Sequence, residues 1–249
     1  MKVGLIGFGK AGKAVATTIL RNKEIILEWV VRKSVLLEHR SVPEFLGEQS
    51  EEPGLIHSAD HMPIRKLLDE QPVDMIIDFS SESGLAYYGK EASKRKIKII
   101  SAVSHYSEET IKILKRYSRT TTVFWSPNIT LGVNYLIIAA RFIKKLAPHI
   151  DMVVLEEHFR DKEGVSGTAM VMADKLNIDH DDIKSIRAGG IIGKHEIICG
   201  FPYQTVRLVH ESISREAFGS GAIFVAQNLV SKGKGFFSFE DLLLPYFAL

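Results

Sequence analysis

The chain of 249 residues has a single cysteine, Cys199, which excludes an intrachain disulfide and any metal centre built from several thiolates. It also lacks a surplus of either charge: 32 Lys and Arg against 30 Asp and Glu leave a formal charge of +2. A general nucleic-acid binder concentrates basic excess on one face, so nucleic acid is not an expected partner. No apolar run is long enough to span a bilayer. The longest uncharged apolar stretch, near residues 131–140, contains Asn134 and falls well short of the roughly 20 residues needed. Internal repeats and low-complexity tracts are missing, and the N-terminus lacks the basic, apolar and cleavage regions of a secretory signal. With 45% apolar and 25% charged residues, the composition is that of an ordinary globular protein. The expected address is a reducing cytoplasm, with no membrane partner.

What is present is alternation. Residues 2–6, 25–31, 74–79, 97–102 and 121–125 read as short strands, apolar on both faces. Between them, residues 11–21, 64–70, 83–95 and 108–119 read as helices. In the first helix Ala14, Val15, Thr18 and Ile19 share one face at 3.6-residue spacing. Strand and helix in succession imply a parallel sheet covered on both sides. Residues 33–62 are weakly patterned and read as a mobile loop near a site.

The character changes at Ser126-Pro127-Asn128, because proline forces its predecessor out of the helical region. A long helix at 131–146 and a strand at 152–158 follow, then a helix opening at Ser166 and strands at 183–188, 196–199 and 205–210. Clustered strands with few helices suggest a mixed or antiparallel sheet in a second domain. Residues 215–230 form another helix, and Ser238-Phe239-Glu240-Asp241 is a capped start to a short terminal one.

Gly7-Phe8-Gly9-Lys10-Ala11-Gly12 fits the G-x-G-x-x-G dinucleotide fingerprint, and it follows a strand and opens a helix, the context the motif requires. Gly7 permits the tight turn, Gly9 lets backbone approach a pyrophosphate, and Gly12 lets helix pack on strand. The helix N-terminus adds N–H donors and a positive dipole end. The second strand ends at Arg32-Lys33-Ser34, where an NAD enzyme carries an acid for the ribose 2′-hydroxyl. Two cations suit a 2′-phosphate, so NADPH is favoured and NADH remains possible. Solvated basic residues at a strand end are the alternative reading.

A second constellation runs Glu156-Glu157-His158-Phe159-Arg160-Asp161-Lys162, then Gly164-Val165-Ser166-Gly167-Thr168. Ser166, Gly167 and Thr168 at a helix N-terminus offer hydroxyls and N–H groups to a carboxylate. His158 and Lys162 stand just before that anion site as potential proton donors, although singly each also reads as a surface side chain. His180, His195 and His210 are less persuasive. His180 lies in an acidic turn, and the other two sit at strand ends where they would face the second domain's binding side. No metal site is expected.

The glycine turn, Asp78-Phe79-Ser80, the segments 126–134, 185–189 and 193–196, and above all His210-Glu211-Ser212-Ile213-Ser214-Arg215-Glu216-Ala217-Phe218 resemble the 4-hydroxy-tetrahydrodipicolinate (dihydrodipicolinate) reductase family of lysine and diaminopimelate biosynthesis. The resemblance covers nearly the whole chain. It implies a Rossmann parallel-sheet domain (residues 1–126 and 215–249) and an α+β mixed-sheet domain (127–214) that binds substrate and builds a homotetramer. Hinges are implied near 126–129 and 214–218. It also implies cofactor contacts from Phe79, from Ser101, Ala102 and Val103, and from Ser126, Pro127, Asn128 and Ile129. By the same resemblance His158 and Lys162 are catalytic, and Ser166, Gly167 and Thr168 bind a substrate carboxylate.

The chain departs from the family pattern at three places. Phe159 stands where the family has a second, substrate-contacting histidine. The loop Glu163-Gly164-Val165 replaces a longer Asp-Ala-Pro segment. Ser101-Ala102-Val103-Ser104 replaces the Gly-Thr-Thr-Gly beside the nicotinamide. The leading expectation is therefore NAD(P)H-dependent reduction of a small cyclic imine or enamine dicarboxylate, with tetrahydrodipicolinate formation as the first case. A paralogous imine reductase with a retuned pocket and a non-catalytic NADPH-binding regulator are the alternatives.

Overall fold

The computed structural model describes residues 1–247, and the chain divides into two compact units, residues 1–129 with the chain from 218 onward, and residues 130–217. The first unit begins β1 (Lys2–Ile6), α1 (Lys10–Leu20), β2 (Ile26–Arg32), α2 (Val42–Leu46), β3 (Leu55–Ser58) and α3 (Ile64–Glu70). It continues β4 (Met75–Asp78), α4 (Glu82–Arg95), β5 (Lys98–Ser101), α5 (Glu108–Tyr117) and β6 (Thr122–Trp125). The second unit contains α6 (Leu131–Leu146), β7 (Asp151–His158), α7 (Gly167–Leu176), β8 (Lys184–Arg187), β9 (Lys194–Phe201) and β10 (Gln204–Glu211). The chain then returns through α8 (Glu216–Leu229), β11 (Gly235–Phe237) and α9 (Phe239–Leu243).

The first unit holds a seven-stranded sheet in the order β11-β6-β5-β4-β1-β2-β3, and every pairing in it is parallel. β4 is buried along its whole length, and β1 is buried except at Lys2. Such strands must be apolar on both faces, which explains their unbroken aliphatic runs. The order reverses between β1 and β4, the place where open α/β sheets bind ligands beyond the carboxyl ends of their strands.

Three elements of this unit escaped the sequence pattern. Residues 33–62 are not one loop: they contain α2 and β3. α2 has only five residues and is set by its ends, with Ser41 capping the Glu44 amide, Pro43 in the first turn and Gly47 left-handed at the close. β3 pairs with β2 alone and has four residues, too few to show a period. β11 is three residues on the opposite edge, paired only with β6.

In the second unit β10, β9 and β7 are antiparallel neighbours and β8 runs parallel to β7, so the sheet is mixed. One face packs on α6 and α7 through Val133, Leu136, Val154, Met172, Ile197 and Cys199.

The packing of the first unit depends on Trp29, which is fully buried. Its Nε1 donates to the Gln71 carbonyl at 3.0 Å, and its six-membered ring occupies the space a side chain on Gly4 would need, 2.1 Å from an ideal Cβ. Gly4→Ala is expected to destabilise this unit by roughly 1–3 kcal/mol, as overpacking does. Both tryptophans, Trp29 and Trp125, belong to this unit, so denaturant unfolding followed by their fluorescence reads it directly. An unchanged midpoint would show that the ring can move aside.

Candidate active site

The nucleotide turn begins where β1 ends. Gly7 has φ +95° and donates its amide to the Val31 carbonyl at 2.8 Å, and a side chain there would strike the Phe79–Ser80 backbone at 2.7 Å. Gly12 lies so close under the turn that a Cβ would come 2.0 Å from the Gly7 oxygen. Gly9 differs: nothing lies within 4 Å of its missing Cβ, it caps α1 without a side-chain bond, and the first turn holds no acid. The space over Gly9 at the start of α1 is therefore open, and the turn fits a dinucleotide pyrophosphate. Phe8 turns inward, 5% exposed and packed on Phe45. Lys10 and Ala11 open the helix. Arg32 closes β2 and donates to the Leu36 carbonyl at 2.9 Å, while the Lys33 carbonyl receives the Ser58 hydroxyl at 3.2 Å.

Beyond β4 and β5 the remaining expected cofactor residues form bonded turns. Asp78 is fully buried; its Oδ1 accepts from the Ser80 amide at 2.8 Å and hydroxyl at 2.6 Å, and its Oδ2 from Tyr88 at 3.0 Å. Phe79 packs on Phe218 at 6.5 Å. In the turn that replaces the family's Gly-Thr-Thr-Gly, Ser101 bonds Tyr106 at 2.8 Å, Ala102 donates to the Asp78 carbonyl, and the Val103 carbonyl accepts from Trp125 Nε1 at 3.0 Å. Two aromatic side chains thus hold a turn without family glycines. The Ser126 hydroxyl bonds the Asn128 carbonyl at 2.5 Å across Pro127, and Ile129 is buried.

In the second unit the alternation of β7 carries the chemistry. Val154, Glu156 and His158 are buried on the helix-covered face. Pairing aligns His210 with His195, His195 with Glu156, and Glu156 with Ser185, so one row crosses all four strands. His158 pairs with Arg187 two residues on. Burial comes first among the causes holding the His158, His195 and His210 rings below the ordinary histidine range; His195, with cationic neighbours besides, is pushed down to about 4.

Arg187 binds the loop that follows β7. It donates to the Glu156 carboxylate at 2.5 Å, to the Lys162 carbonyl at 3.0 Å and to the Gly164 carbonyl at 2.6 Å. Lys162 is half-buried and Phe159 is 44% exposed. Ser166, 4% exposed, spends its hydroxyl on capping the Ala169 amide at 3.1 Å and on His195 Nε2 at 3.1 Å. The Ser166 hydroxyl is therefore occupied within the fold, and the open space at the start of α7 lies over Gly167. Sequence reasoning missed Arg187 and Ser185 as site members and undervalued Glu156 and His195. The available signal was an acid and a histidine two apart on the inward face of an otherwise apolar strand.

One unit with a dinucleotide turn and another with a buried carboxylate among histidines fits the plan of a nicotinamide-dependent reductase. The particular family follows from comparison. Residues 1–129 match the family model described as dihydrodipicolinate reductase, N-terminus, and residues 132–243 the one described as dihydrodipicolinate reductase, C-terminus. The chain belongs to the dihydrodipicolinate reductase family. It is 29% identical over 257 residues to the 4-hydroxy-tetrahydrodipicolinate reductase of Caldanaerobacter subterraneus subsp. tengcongensis, covering 94% of each. It is 31% identical to that of Bdellovibrio bacteriovorus over 70% of this chain and 77% of the other. The fold is similar to a dipicolinate-bound dihydrodipicolinate reductase from Paenisporosarcina sp. TG-14, with TM-score 0.76, 19% identity and coverage of 97% and 98%.

Burial raises the Asp78 carboxyl from 3.8 to about 6, against the Ser80 and Tyr88 bonds that lower it. A folded value above the unfolded one means stability that is full below about pH 4 and lost as pH rises through 6. That loss is at most on the order of 3 kcal/mol. Asp78→Asn cannot ionise, so wild type should lose stability relative to the variant between pH 4 and 7, read by tryptophan fluorescence in urea. A constant difference across that range overturns the assignment.

Proposed function

We propose that the chain catalyses NAD(P)H-dependent reduction of 4-hydroxy-tetrahydrodipicolinate to tetrahydrodipicolinate, in the lysine and diaminopimelate route and in the cytoplasm. The balance is one substrate, one reduced cofactor and one proton giving product, oxidised cofactor and water. The observation that carries the reading is the buried Glu156 carboxylate against His158, linked through Arg187 to the loop that bears Lys162 and leads to α7, in a chain that matches both halves of the reductase family.

When bound, the nicotinamide cofactor supplies the hydride. The protein's own work is to bind, orient and move a proton. The start of α7 at Gly167 and Thr168 holds a substrate carboxylate, using amides and the helix dipole. Lys162 offsets the charge of a dianionic substrate, and His158 or Lys162 supplies the proton that balances hydride arrival. Arg32 and Lys33 favour NADPH over NADH by pairing with a 2′-phosphate. The tetramer expected from the family would form through the open face of the four-stranded sheet, where Ile186 and Val209 are 44% and 53% exposed. No helix among the described residues is long and apolar enough to cross a membrane.

Phe159 supports the second reading, an imine reductase with another substrate, because its ring cannot hydrogen-bond the substrate. Steady-state NADPH oxidation with enzymatically generated 4-hydroxy-tetrahydrodipicolinate decides between them. Wild type is expected to turn over at about 1 s⁻¹ or faster, and Phe159→His to change KM only modestly. Turnover below about 0.01 s⁻¹ that Phe159→His improves would transfer the assignment to the paralogue. No NADPH oxidation with any cyclic imine would leave the regulator. The cofactor preference has its own test. Replacing Arg32 and Lys33 with neutral residues should weaken NADPH binding at least roughly tenfold and leave NADH binding unchanged in calorimetric titration; equal NADPH affinity in both proteins would refute it.

A further inference from the structure

We propose that Glu156 is a positioning residue for proton transfer: it holds the His158 ring with Nδ1–H turned to the buried carboxylate, so that Nε2 is the atom that exchanges a proton with substrate. The proposal rests on the reading that His158 moves a proton in the reduction above.

The geometry begins with the carboxylate. Glu156 has no exposed surface, and its two oxygens are divided between two tasks. Oε1 accepts from the Ser185 hydroxyl at 2.5 Å and from Arg187 Nη2 at 2.5 Å. Oε2 meets His158 Nδ1 in a close contact. Both of these atoms are buried and no other group satisfies either of them, so the close contact between them leaves each as the only partner at hand for the other among the described residues. A carboxylate only accepts, so Nδ1 must carry the hydrogen and Nε2 is left to lose or gain one.

The other side of the ring has been kept clear. The nearest atom to an ideal Cβ on Gly193 is His158 Nε2, at 3.1 Å, and the next two belong to the same ring. A larger residue at 193 would crowd the atom the proposal requires to react. The ring of His195 packs edge-on to that of His158 at 5.2 Å and bonds Ser166 at the head of α7. The ring that moves the proton and the helix that holds the anion are thereby tied through one neighbour.

The charged and titratable groups facing His158 are Glu156 on its own strand, Arg187 on β8, Lys162 in the following loop, and His195 on β9 with His210 behind it on β10. Burial and the cations favour the neutral ring, and only Glu156 favours the imidazolium. In the transfer, imidazolium Nε2–H gives one proton to the substrate as the hydride's electron pair reduces it. The ring returns to neutral with Nδ1–H still on Glu156, and solvent water restores the proton.

Glu156→Gln keeps the size and removes the charge. It is expected to lower kcat roughly tenfold to a hundredfold, less than the 10²–10⁴-fold that a positioned general acid contributes. The alkaline limb of kcat/KM should move to lower pH, because the group that favours the imidazolium is gone. NADPH affinity, measured by titration, should not change. In a His158→Ala background the same substitution should cost almost nothing. A penalty for Glu156→Gln that is equal in both backgrounds, with an unmoved limb, overturns the positioning role. Wild-type activity in His158→Ala overturns the underlying reading instead. If Glu156→Gln fails to fold, imidazole 15N spectra of the wild-type protein decide the matter, with His158 assigned from the His158→Ala spectrum. Hydrogen on Nδ1 supports the proposal, and a neutral ring with hydrogen only on Nε2 refutes it.

Discussion

Glu156 lies on the middle of a sheet with no exposed surface, and a carboxylate there survives as an anion because Arg187 and Ser185 donate to it and His158 Nδ1 lies against it. Burial alone would push its carboxyl up; the bonds from Arg187 and Ser185 and the charge of His158 bring it below the usual range. Breaking such a buried pair by removing one partner costs about 3–5 kcal/mol, because the other charge is left uncompensated. The rest of the second unit's chemistry hangs on that constraint. Arg187, whose guanidinium also lies on Glu156, donates to the Lys162 and Gly164 carbonyls, a bond set that glutamine at 156 can still accept, and those two carbonyls lie on the loop between His158 and α7. A solvent-exposed pair would not hold a loop in this way, since exposed pairs are worth about 0–1 kcal/mol.

The first unit works by the opposite device, the removal of side chains. At Gly7 and Gly12 a methyl group would collide with backbone, and at Gly9 it would fill empty space that a pyrophosphate needs. Beside that turn the structure buries a second carboxyl, Asp78, but without a cation. Hydroxyls and an amide surround it, and burial wins over them. The two buried acids therefore behave differently for a plain electrostatic reason: a guanidinium compensates an anion more fully than neutral donors do.

Function and stability also compete for the same groups in the α7 triplet. Ser166 reads from sequence as an anion ligand, yet its hydroxyl caps the Ala169 amide and bonds His195. A serine in the N-cap position satisfies a helix donor that would otherwise be unpaired, and this local demand is met before any ligand arrives. Phe159, by contrast, stands exposed with no fold-level task evident, and there a family histidine has been exchanged for a ring without polar atoms.

Much of this was legible in the residue order. The parallel sheet follows from strands apolar on both faces, α1 from 3.6-residue periodicity, and the nucleotide turn from three glycines between a strand and a helix, because each of these signals is local. Short edge elements such as α2, β3 and β11 were not legible, since three to five residues carry no period and their stability comes from one neighbouring strand or from caps. In the site, His158, Lys162 and the start of α7 stand within eleven residues of one another in the chain, so they announce themselves together. Ser185, Arg187 and His195 come from other strands, about 30 to 40 positions from Glu156, and no spacing rule links them. Only strand register brings them into rows across one face, because pairing decides which side chains from distant segments share a carboxylate. The sequence alone thus determined the class of chemistry and the cofactor turn; the tertiary structure decided which groups surround His158, since that depends on alignment between strands and not on order along the chain.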